Sequence, residues 1–421
     1  MKEKALLVTV DFYSVQRSSR MSDLVAELAE LSQGAGLTVV GNLLFKQDSP
    51  SSAIFLGKGQ AEKIRLEAKK HLASVVVFES NLTPSQQRNL EEIIGVKTID
   101  RTQLILDIFA RRARSTEGKL QVELAQLKYL LPRLGGQGIY LSRLGGGVGT
   151  RGPGEQKLEV DRRRIREKIS HLTADLKELE VKRQRLVGNK KENDLPLVAL
   201  AGYTNAGKST LFNHLTRSQV IAKNQLFSTL DTTTRLLEMP RKQKALLSDT
   251  VGFIRDLPHN LVESFKATLE EAVQADILWH VMDASREDLR TVCTAVYQVL
   301  TEIGAGERKV FLIFNKSDLV PLSERGRVSS MISFLHAGPV FWVSATTGEG
   351  ILELLQATAS YFSETKVLRE FFFSQEKIAA AGVLYREAEV VERRDTAEGV
   401  FLKAYTSEKL AGKLAPYAHE K

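Results

Sequence analysis

The sequence predicts an α/β chain in which two α/β domains are separated by a long helical hairpin and followed by a small C-terminal α/β domain. Apolar runs of strand length alternate with helical patterns over residues 1–112 and again over residues 195–363, and this alternation is typical of α/β folds. Residues 113–192 carry two amphipathic helical patterns around a glycine-rich stretch. Residues 366–421 add the strand-like runs EAEVVERR and GVFLKAYT.

The first domain is predicted from three apolar runs, ALLVTVDF, LTVVGNLLF and SVVVFES, with helical patterns between them. One of these patterns places Leu24, Leu28 and Leu31 at helical spacing before a glycine stop. Another, TPSQQRNLEEIIG, begins with the Thr-Pro pair that favours a helix start. Strands separated by helices pair in parallel, so we expect a small parallel sheet.

The hairpin is predicted from two amphipathic stretches. The first has a leucine stripe, formed by Leu120, Leu124, Leu127 and Leu131. The second is a long charged helix with a thin apolar seam, formed by Ile165, Ile169, Leu172, Leu176 and Leu179. Residues 135–154 join them and are rich in glycine, so we expect them at the tip of the hairpin.

The overall composition indicates the class of partner and the cellular location of the protein. The chain has 421 residues and a formal net charge of +8, which favours an anionic partner such as nucleic acid. A single cysteine, Cys293, excludes an internal disulfide and a cysteine-based zinc site. No apolar run is long enough to span a bilayer, and the short N-terminal apolar run does not fit a signal peptide. We therefore expect a cytoplasmic protein.

The segment GYTNAGKST fits the phosphate-binding pattern G-x-x-x-x-G-K-[ST], between an apolar strand and a helix. Its backbone N–H groups and the helix N-terminus attract phosphate oxygens. Lys208 can reach the β- and γ-phosphates, and the Ser209 hydroxyl can bind Mg²⁺. The predicted nucleotide-binding residues of this loop are Gly202, Tyr203, Thr204, Asn205, Ala206, Gly207, Lys208 and Ser209.

A second glycine pattern, G-x-G-x-x-G at residues 147–152, resembles the dinucleotide fingerprint. No clear buried strand precedes it and no tight strand–turn–helix unit follows. Pro153 comes next and lacks a donor N–H. We therefore assign the nucleotide to the first loop and look for another role for residues 135–154.

Three further segments indicate a guanine nucleotide. DTVG supplies Asp249, Thr250, Val251 and Gly252, and the N–H of Gly252 can bind the γ-phosphate. NKSD supplies Asn315, Lys316, Ser317 and Asp318; the Asp318 carboxylate can accept two hydrogen bonds from guanine, which adenine lacks, for a discrimination of roughly 10⁴-fold. Ser344, Ala345 and Thr346 complete the base pocket. All four segments follow strands, where open α/β sheets bind ligands.

With these motifs, the middle domain resembles a Ras-like, translation-factor-class G domain with a mostly parallel sheet and helices on both faces. The combination of GYTNAGKST, FSTLDTTTR, DTVGFI and GGGVGTRGPGEQKLE resembles the HflX family of GTPases. FLGKGQ and LTPSQQRNLE resemble the N-terminal domain of that family. The resemblance implies GTP/GDP and Mg²⁺ as ligands, Lys208, Thr229 and Gly252 as catalytic residues, and Ser209 and Thr229 on the metal. It also adds the switch residues Phe227, Ser228, Thr229, Leu230 and Asp231 to the nucleotide site.

Phe253 occupies the position at which many Ras-like proteins carry a water-orienting glutamine. A phenyl ring cannot polarise water, so we expect slow intrinsic hydrolysis that a partner completes. The alternative is that Phe253 only packs.

The glycine-rich stretch is flanked by Arg133, Arg143 and Arg151, and the helix after it carries further cations, Arg162, Arg163, Arg164, Arg166 and Lys168. Arginines suit phosphate, although such a run is also common on a solvated helix face. The HflX resemblance implies association with the large ribosomal subunit, contact with ribosomal RNA and splitting of ribosomes. We expect the free protein to be a monomer. Two alternatives stay open: a GTP-regulated protein that remodels free RNA, and a signalling switch with a protein effector.

Overall fold

The computed structural model describes residues 3–13, 21–134, 153–190, 195–216, 233–240, 243–255, 270–336, 338–364, 367–406 and 408–419. Over these ranges the elements follow the predicted order, with an α/β domain, a helical hairpin, a second α/β domain and a C-terminal domain. No helix in the described ranges is long and apolar enough to cross a membrane.

The N-terminal domain is a parallel sheet with helices on both faces. Its described strands are β1 (Lys4–Phe12), β2 (Thr38–Gln47), β3 (Val75–Phe78) and β4 (Lys97–Asp100), paired in parallel in the order β2-β1-β3-β4. Its described helices are α1 (Met21–Gly34), α2 (Lys58–Lys70), α3 (Pro84–Ile94) and α4 (Arg101–Arg112). The predicted parallel sheet is confirmed. β4 is missing from the prediction because four residues are too few to establish a periodicity.

Local chemistry sets the ends of α3. The hydroxyl of Thr83 accepts a hydrogen bond from the N–H of Gln86 at 3.2 Å, and the N–H of Thr83 donates to the Gln86 side chain at 2.9 Å. This reciprocal capping box satisfies donors that the first helical turn leaves free. The helix ends at Gly95, whose φ of 79° is the left-handed conformation of a glycine cap.

The middle region contains α5 (Thr116–Leu130), a 3₁₀ turn (Leu131–Leu134) and the long helix α6 (Pro153–Lys190). α5 packs against α6, and an ion pair joins Lys168 to Glu123. In the predicted seam, Leu172 is buried. The buried face of α5 differs from the predicted stripe, because Val122, Leu124 and Ala125 face the core while Leu120 and Leu127 are only partly covered. The glycine-rich stretch from 135 to 152 lies outside the described residues.

The second α/β domain is built on a sheet with the order β10-β9-β8-β5-β7-β6 among the described strands. These strands are β5 (Leu197–Gly202), β6 (Thr233–Glu238), β7 (Lys244–Asp249), β8 (Ile277–Asp283), β9 (Lys309–Asn315) and β10 (Val340–Trp342). The described helices are α7 (Lys208–Thr216), α8 (Leu289–Glu302), α9 (Leu322–Ser330) and α10 (Ile351–Glu364). The pairing is parallel except for the edge strand β6, which the sequence pattern does not predict and which runs antiparallel to β7.

The C-terminal domain is an antiparallel sheet in the order β11-β13-β12, as far as the described residues extend. Its strands are β11 (Val367–Ser374), β12 (Glu389–Thr396) and β13 (Gly399–Thr406), and the helices α11 (Gly382–Glu387) and α12 (Glu408–Lys413) accompany them. The two predicted strands form a hairpin, because only a two-residue turn separates them. β11 is additional, and its Phe371 and Phe373 enter the core with Leu402.

Candidate functional site

The P-loop, residues 202–209, joins the carboxyl end of β5 to the start of α7. Gly202 and Gly207 have φ values of 151° and 90°, which favour glycine. A Cβ atom at Gly202 would lie 2.2 Å from the carbonyl oxygen of Val281, and one at Gly207 would lie 2.1 Å from Nδ2 of Asn315. A side chain at Gly202 would therefore collide with the backbone of the neighbouring strand β8, and one at Gly207 would collide with the amide of Asn315.

Lys208 and Ser209 begin α7 and are both buried. The ammonium group of Lys208 donates to the carbonyl oxygens of Gly202 at 2.9 Å and Tyr203 at 2.8 Å. Burial lowers the pKa of Lys208 to about 8, although the charge of Asp249 opposes this shift. The hydroxyl of Ser209 donates to the Asp249 carboxylate at 2.7 Å. A hydroxyl and a carboxylate are thus adjacent at the start of the helix, as a P-loop magnesium site requires.

The switch-II segment, residues 249–255, runs along the P-loop. The N–H of Phe253 donates to the carbonyl oxygen of Gly202 at 3.0 Å, and the N–H of Thr204 donates to the carbonyl oxygen of Phe253 at 2.7 Å. Gly252 lies between two P-loop side chains, because a Cβ there would be 2.8 Å from the Thr204 methyl and 3.0 Å from the Lys208 ammonium. Gly252 therefore lies beside the lysine expected to reach the γ-phosphate.

The Phe253 side chain faces the protein interior. It is 2% exposed and belongs to the same apolar cluster as Ala199, Ala201 and Leu278. The ring therefore packs against one face of the sheet. Phe253 offers no polar side chain that could orient water, unlike the glutamine of many Ras-like proteins.

The segments predicted to bind the base are tied to the P-loop through Asn315. Its amide nitrogen donates to the carbonyl oxygen of Ala206 at 2.8 Å, and its amide oxygen accepts the N–H of Ala345 at 3.0 Å. Lys316 has a positive φ of 61°, and its ammonium lies 2.6 Å from the Asp283 carboxylate. Asp318 is exposed, as a carboxylate that must meet a ligand requires.

One residue that supports this loop is not found by the motif reading. The carboxylate of Glu349 accepts the Ser317 hydroxyl at 2.8 Å and pairs with Arg325 at 2.9 Å. The hydrogen bonds from Arg325 and Ser317 hold the pKa of Glu349 below its usual range. Glu349 therefore fixes the segment that carries Asp318, a role that no local pattern around TTGEG indicates.

The structure assigns the Tyr203 side chain to the contact with the N-terminal domain. The Tyr203 ring is buried, and its hydroxyl donates to the carboxylate of Glu27 on α1 at 2.6 Å. Only the backbone of Tyr203 is left to line the nucleotide site. The predicted switch residues Phe227, Ser228, Thr229, Leu230 and Asp231 lie outside the described residues.

Arg133 has an internal role that differs from the expected phosphate contact. Its guanidinium donates to the Asp100 carboxylate at 3.1 Å, to the carbonyl oxygen of Leu82 at 2.7 Å and to Gln87 at 2.8 Å. It also lies over the ring of Tyr129, 3.5 Å from the centroid. These contacts anchor the end of the first hairpin helix to the N-terminal domain. Arg143 and Arg151 fall outside the described residues.

Comparison with known proteins accounts for most of the chain. Residues 22–110 match the family described as GTP-binding GTPase N-terminal, residues 112–190 match GTP-binding GTPase Middle Region, and residues 197–316 match 50S ribosome-binding GTPase. The chain is 44% identical over 404 residues to the GTPase HflX of Caldanaerobacter subterraneus, covering 96% of this chain and 91% of the relative. The chain belongs to the HflX family of GTPases.

Two further similarities agree with this assignment. The GTPase HflX of Escherichia coli is 43% identical over 365 residues, covering 86% of this chain and 83% of the relative. A solved structure described as the complex of SsGBP and GDP is 25% identical with a TM-score of 0.50, covering 86% of this chain and 99% of that one. This HflX-family chain is therefore a P-loop GTPase, and the predicted fold class and enzyme class are confirmed.

Proposed function

We propose that this HflX-family GTPase binds GTP with Mg²⁺, associates with the large ribosomal subunit and splits ribosomes, and that the ribosome stimulates hydrolysis. The observation that carries the proposal is the position of Phe253. Its ring is buried in the core beside a complete P-loop, so this residue cannot orient the attacking water. The match of residues 197–316 to a ribosome-binding GTPase family supports the ribosome as the partner that completes the site.

The P-loop residues would hold the phosphates of GTP. The backbone N–H groups at the start of α7 would bind the β-phosphate, and the Lys208 ammonium would exchange its two carbonyl partners for phosphate oxygens. Ser209, with Asp249 through water and Thr229 from the switch, would hold Mg²⁺, which would neutralise charge that develops on the β- and γ-phosphates. The N–H of Gly252 would then bind the γ-phosphate. Loss of the γ-phosphate on hydrolysis would release the switch-II segment.

Guanine selection is assigned to Asp318. Asn315 holds the P-loop and the 344–346 segment together, and Glu349 holds Ser317 beside Asp318. The exposed carboxylate would accept the N1–H and exocyclic amine of guanine. An adenine base would leave this carboxylate without partners, which costs affinity.

The cationic stretch of α6 supports contact with ribosomal RNA. The side chains of Arg163 and Arg164 are 80% and 75% exposed, although Glu167 lies 2.9 Å from Arg163. Exposed pairs of this kind are weak, so a phosphate can replace the carboxylate. The glycine-rich stretch comes directly before α6 in the sequence, and it would approach RNA closely.

The test is GTP turnover at fixed salt, because phosphate contacts depend on salt. Turnover is compared for the protein alone, with large subunits, with intact ribosomes and with protein-free ribosomal RNA. Slow turnover alone and a large rise with large subunits is the expected result, with GTP-dependent loss of intact ribosomes in a sedimentation assay. Equal stimulation by free RNA would favour the RNA-remodelling alternative. No stimulation by any of these would favour a protein effector and refute the ribosome proposal.

A further inference from the structure

The loop that carries Asp318 contains a residue with an unfavourable backbone conformation. Lys316 directly precedes the turn Ser317–Leu319, and its φ of 61° and ψ of 37° lie in the left-handed helical region. That conformation is strained for a residue with a side chain, and it persists only where the surrounding contacts hold it. The contacts of the Lys316 side chain therefore help to set the path of the chain after β9.

The Lys316 side chain is held by Asp283, the last residue of β8. The ammonium lies 2.6 Å from Oδ2 of Asp283, whose side chain is 12% exposed. The other carboxylate oxygen accepts the N–H of Ser285 at 3.0 Å and the Ser285 hydroxyl at 2.6 Å. Ser285 thus fixes the orientation of the carboxylate. A charge-assisted hydrogen bond from a largely covered and oriented group is strongly directional.

Strand pairing brings Asp283 and Lys316 together. Asp283 lies opposite Asn315 in the parallel register of β8 and β9, and the N–H of Ala284 donates to the carbonyl oxygen of Asn315 at 2.9 Å. Asn315 in turn bonds to the P-loop and to the 344–346 segment. The ion pair of the next residue, Lys316, therefore ties the first turn after β9 to the end of the neighbouring strand.

The following residue of the loop, Ser317, is held by a different carboxylate. Its hydroxyl donates to Glu349 at 2.8 Å, and the guanidinium of Arg325 donates to its carbonyl oxygen at 3.1 Å. Two carboxylates from separate elements thus fix the two residues before Asp318. Asp318 comes next and is exposed, so the direction of its carboxylate depends on how firmly these two neighbours are held.

We propose that Asp283 is a specificity-determining positioning residue for the guanine base, acting through Lys316 on the carboxylate of Asp318. The proposal rests on the assignment of Asp318 as the residue that reads guanine. Two hydrogen bonds to one edge of the base require a carboxylate that is already oriented. Without the ion pair the strain at Lys316 is no longer held. Part of the binding free energy is then used to order the loop, and affinity for the base falls.

Inosine diphosphate separates recognition of the base from binding of the phosphates. Its base has the N1–H of guanine but lacks the exocyclic amine, so it can donate only one of the two hydrogen bonds to Asp318. The ratio of the affinities for GDP and inosine diphosphate therefore measures the second hydrogen bond, because the sugar and phosphates are the same. A general loss of stability changes both affinities alike and leaves the ratio unchanged.

Strand β8 also provides a matched control. Asp276 directly precedes β8 at its other end, and its carboxylate accepts the N–H of Leu197 at 2.7 Å. This contact joins β8 to β5 at the edge of the sheet opposite the P-loop. Asp276→Asn therefore removes a hydrogen-bonded carboxylate next to the same strand, far from the nucleotide motifs.

The experiment measures affinities for GDP and inosine diphosphate at fixed Mg²⁺ in the full-length chain, with folding checked by thermal unfolding. Asp283→Asn removes the charge, and Lys316→Met removes the same ion pair from its other side. Both should lower GDP affinity about tenfold and the affinity ratio about threefold, because one of the two lost hydrogen bonds is absent from inosine diphosphate. Asp276→Asn should leave the ratio unchanged. In an Asp318→Asn background, Asp283→Asn should have no further effect on the ratio.

Three results would overturn the proposal. The first is an unchanged ratio in folded Asp283→Asn and Lys316→Met proteins. The second is an equal fall of the ratio in Asp276→Asn, which would mean that general loosening of β8 explains the effect. The third is a fall caused by Asp283→Asn that is as large with Asp318→Asn as without it, because Asp283 would then act on another group. An unchanged ratio in Asp318→Asn alone would instead refute Asp318 as the base reader, and with it this proposal.

Discussion

His280 should make the stability of the G domain dependent on pH over a range in which few other side chains titrate. The residue lies on the central strand β8, is fully buried, and neither of its ring nitrogens has a hydrogen-bond partner among the described residues. Its ring contacts Tyr297 edge to face at 5.4 Å. Burial lowers the pKa of His280 to about 3, and the charges of His336 and Lys208 add to the shift.

The sign and size of the effect follow from linkage. The unfolded chain binds a proton at His280 below its ordinary pKa of about 6.5, whereas the folded chain does so only near pH 3. Acid therefore favours the unfolded state, and stability falls as the pH decreases below about 6.5, by about 1.4 kcal/mol per unit. Between pH 7 and pH 5 the loss from this residue alone is about 2 kcal/mol.

The assay is urea unfolding at pH 7, 6 and 5, comparing the wild-type chain with His280→Phe. The variant keeps a ring at the site but cannot titrate, so its stability should fall by about 2 kcal/mol less than that of the wild type over this range. The difference between the two slopes isolates His280 from the other titrating groups. Equal pH slopes in the two proteins would show that His280 gains a proton in the folded state, and the reasoning from burial would be wrong.

Three further outcomes test the nucleotide site and the hairpin anchor. Gly252→Ala should lower kcat about a hundredfold and leave GDP binding intact, because the new Cβ would lie 2.8 Å from the Thr204 methyl. Unchanged turnover in steady-state kinetics would refute this packing argument. Asp318→Asn should weaken GTP binding roughly a hundredfold and favour xanthosine triphosphate in a competition assay, and retained guanine preference would exclude Asp318 as the base reader. Arg133→Ala should cost about 3 kcal/mol in urea unfolding, because it leaves Asp100 buried without its cation, whereas a loss of RNA affinity at normal stability would restore the phosphate role.

Much of the fold could be predicted from sequence, because the deciding signals are local. Strand-length apolar runs alternating with helical patterns predict both α/β domains. The apolar seam of α6 predicts that it packs on α5, but the leucine stripe predicted for α5 is not its buried face. The short strand β4 and the edge strand β6 escape such patterns. They are too short or too mixed in polarity, and pairing with β3 and β7 is what makes them strands.

The nucleotide motifs could also be predicted, because each is a contiguous segment whose glycines, lysine or aspartates have a known role in nucleotide binding. The motifs lie at one edge of the sheet, since the carboxyl ends of parallel strands lie at the same edge. Sequence could not show which way Phe253 points. A phenyl ring after D-x-x-G fits both a core and a solvent position, and only the packing against Ala199 and Leu278 decides between them.

What the sequence determined by itself was therefore the class of fold, the guanine-nucleotide chemistry and, for the described nucleotide motifs, the strand or helix on which each one lies. Tertiary structure alone decided which side chains far apart in the sequence are bonded to each other. Glu27 and Arg255 are 228 residues apart in the chain, and Arg133 turned out to bind Asp100 rather than to face solvent. The physical reason is that the two partners of a buried ion pair lie on elements that are far apart in the sequence and come together only on folding. No local periodicity or motif indicates such a contact.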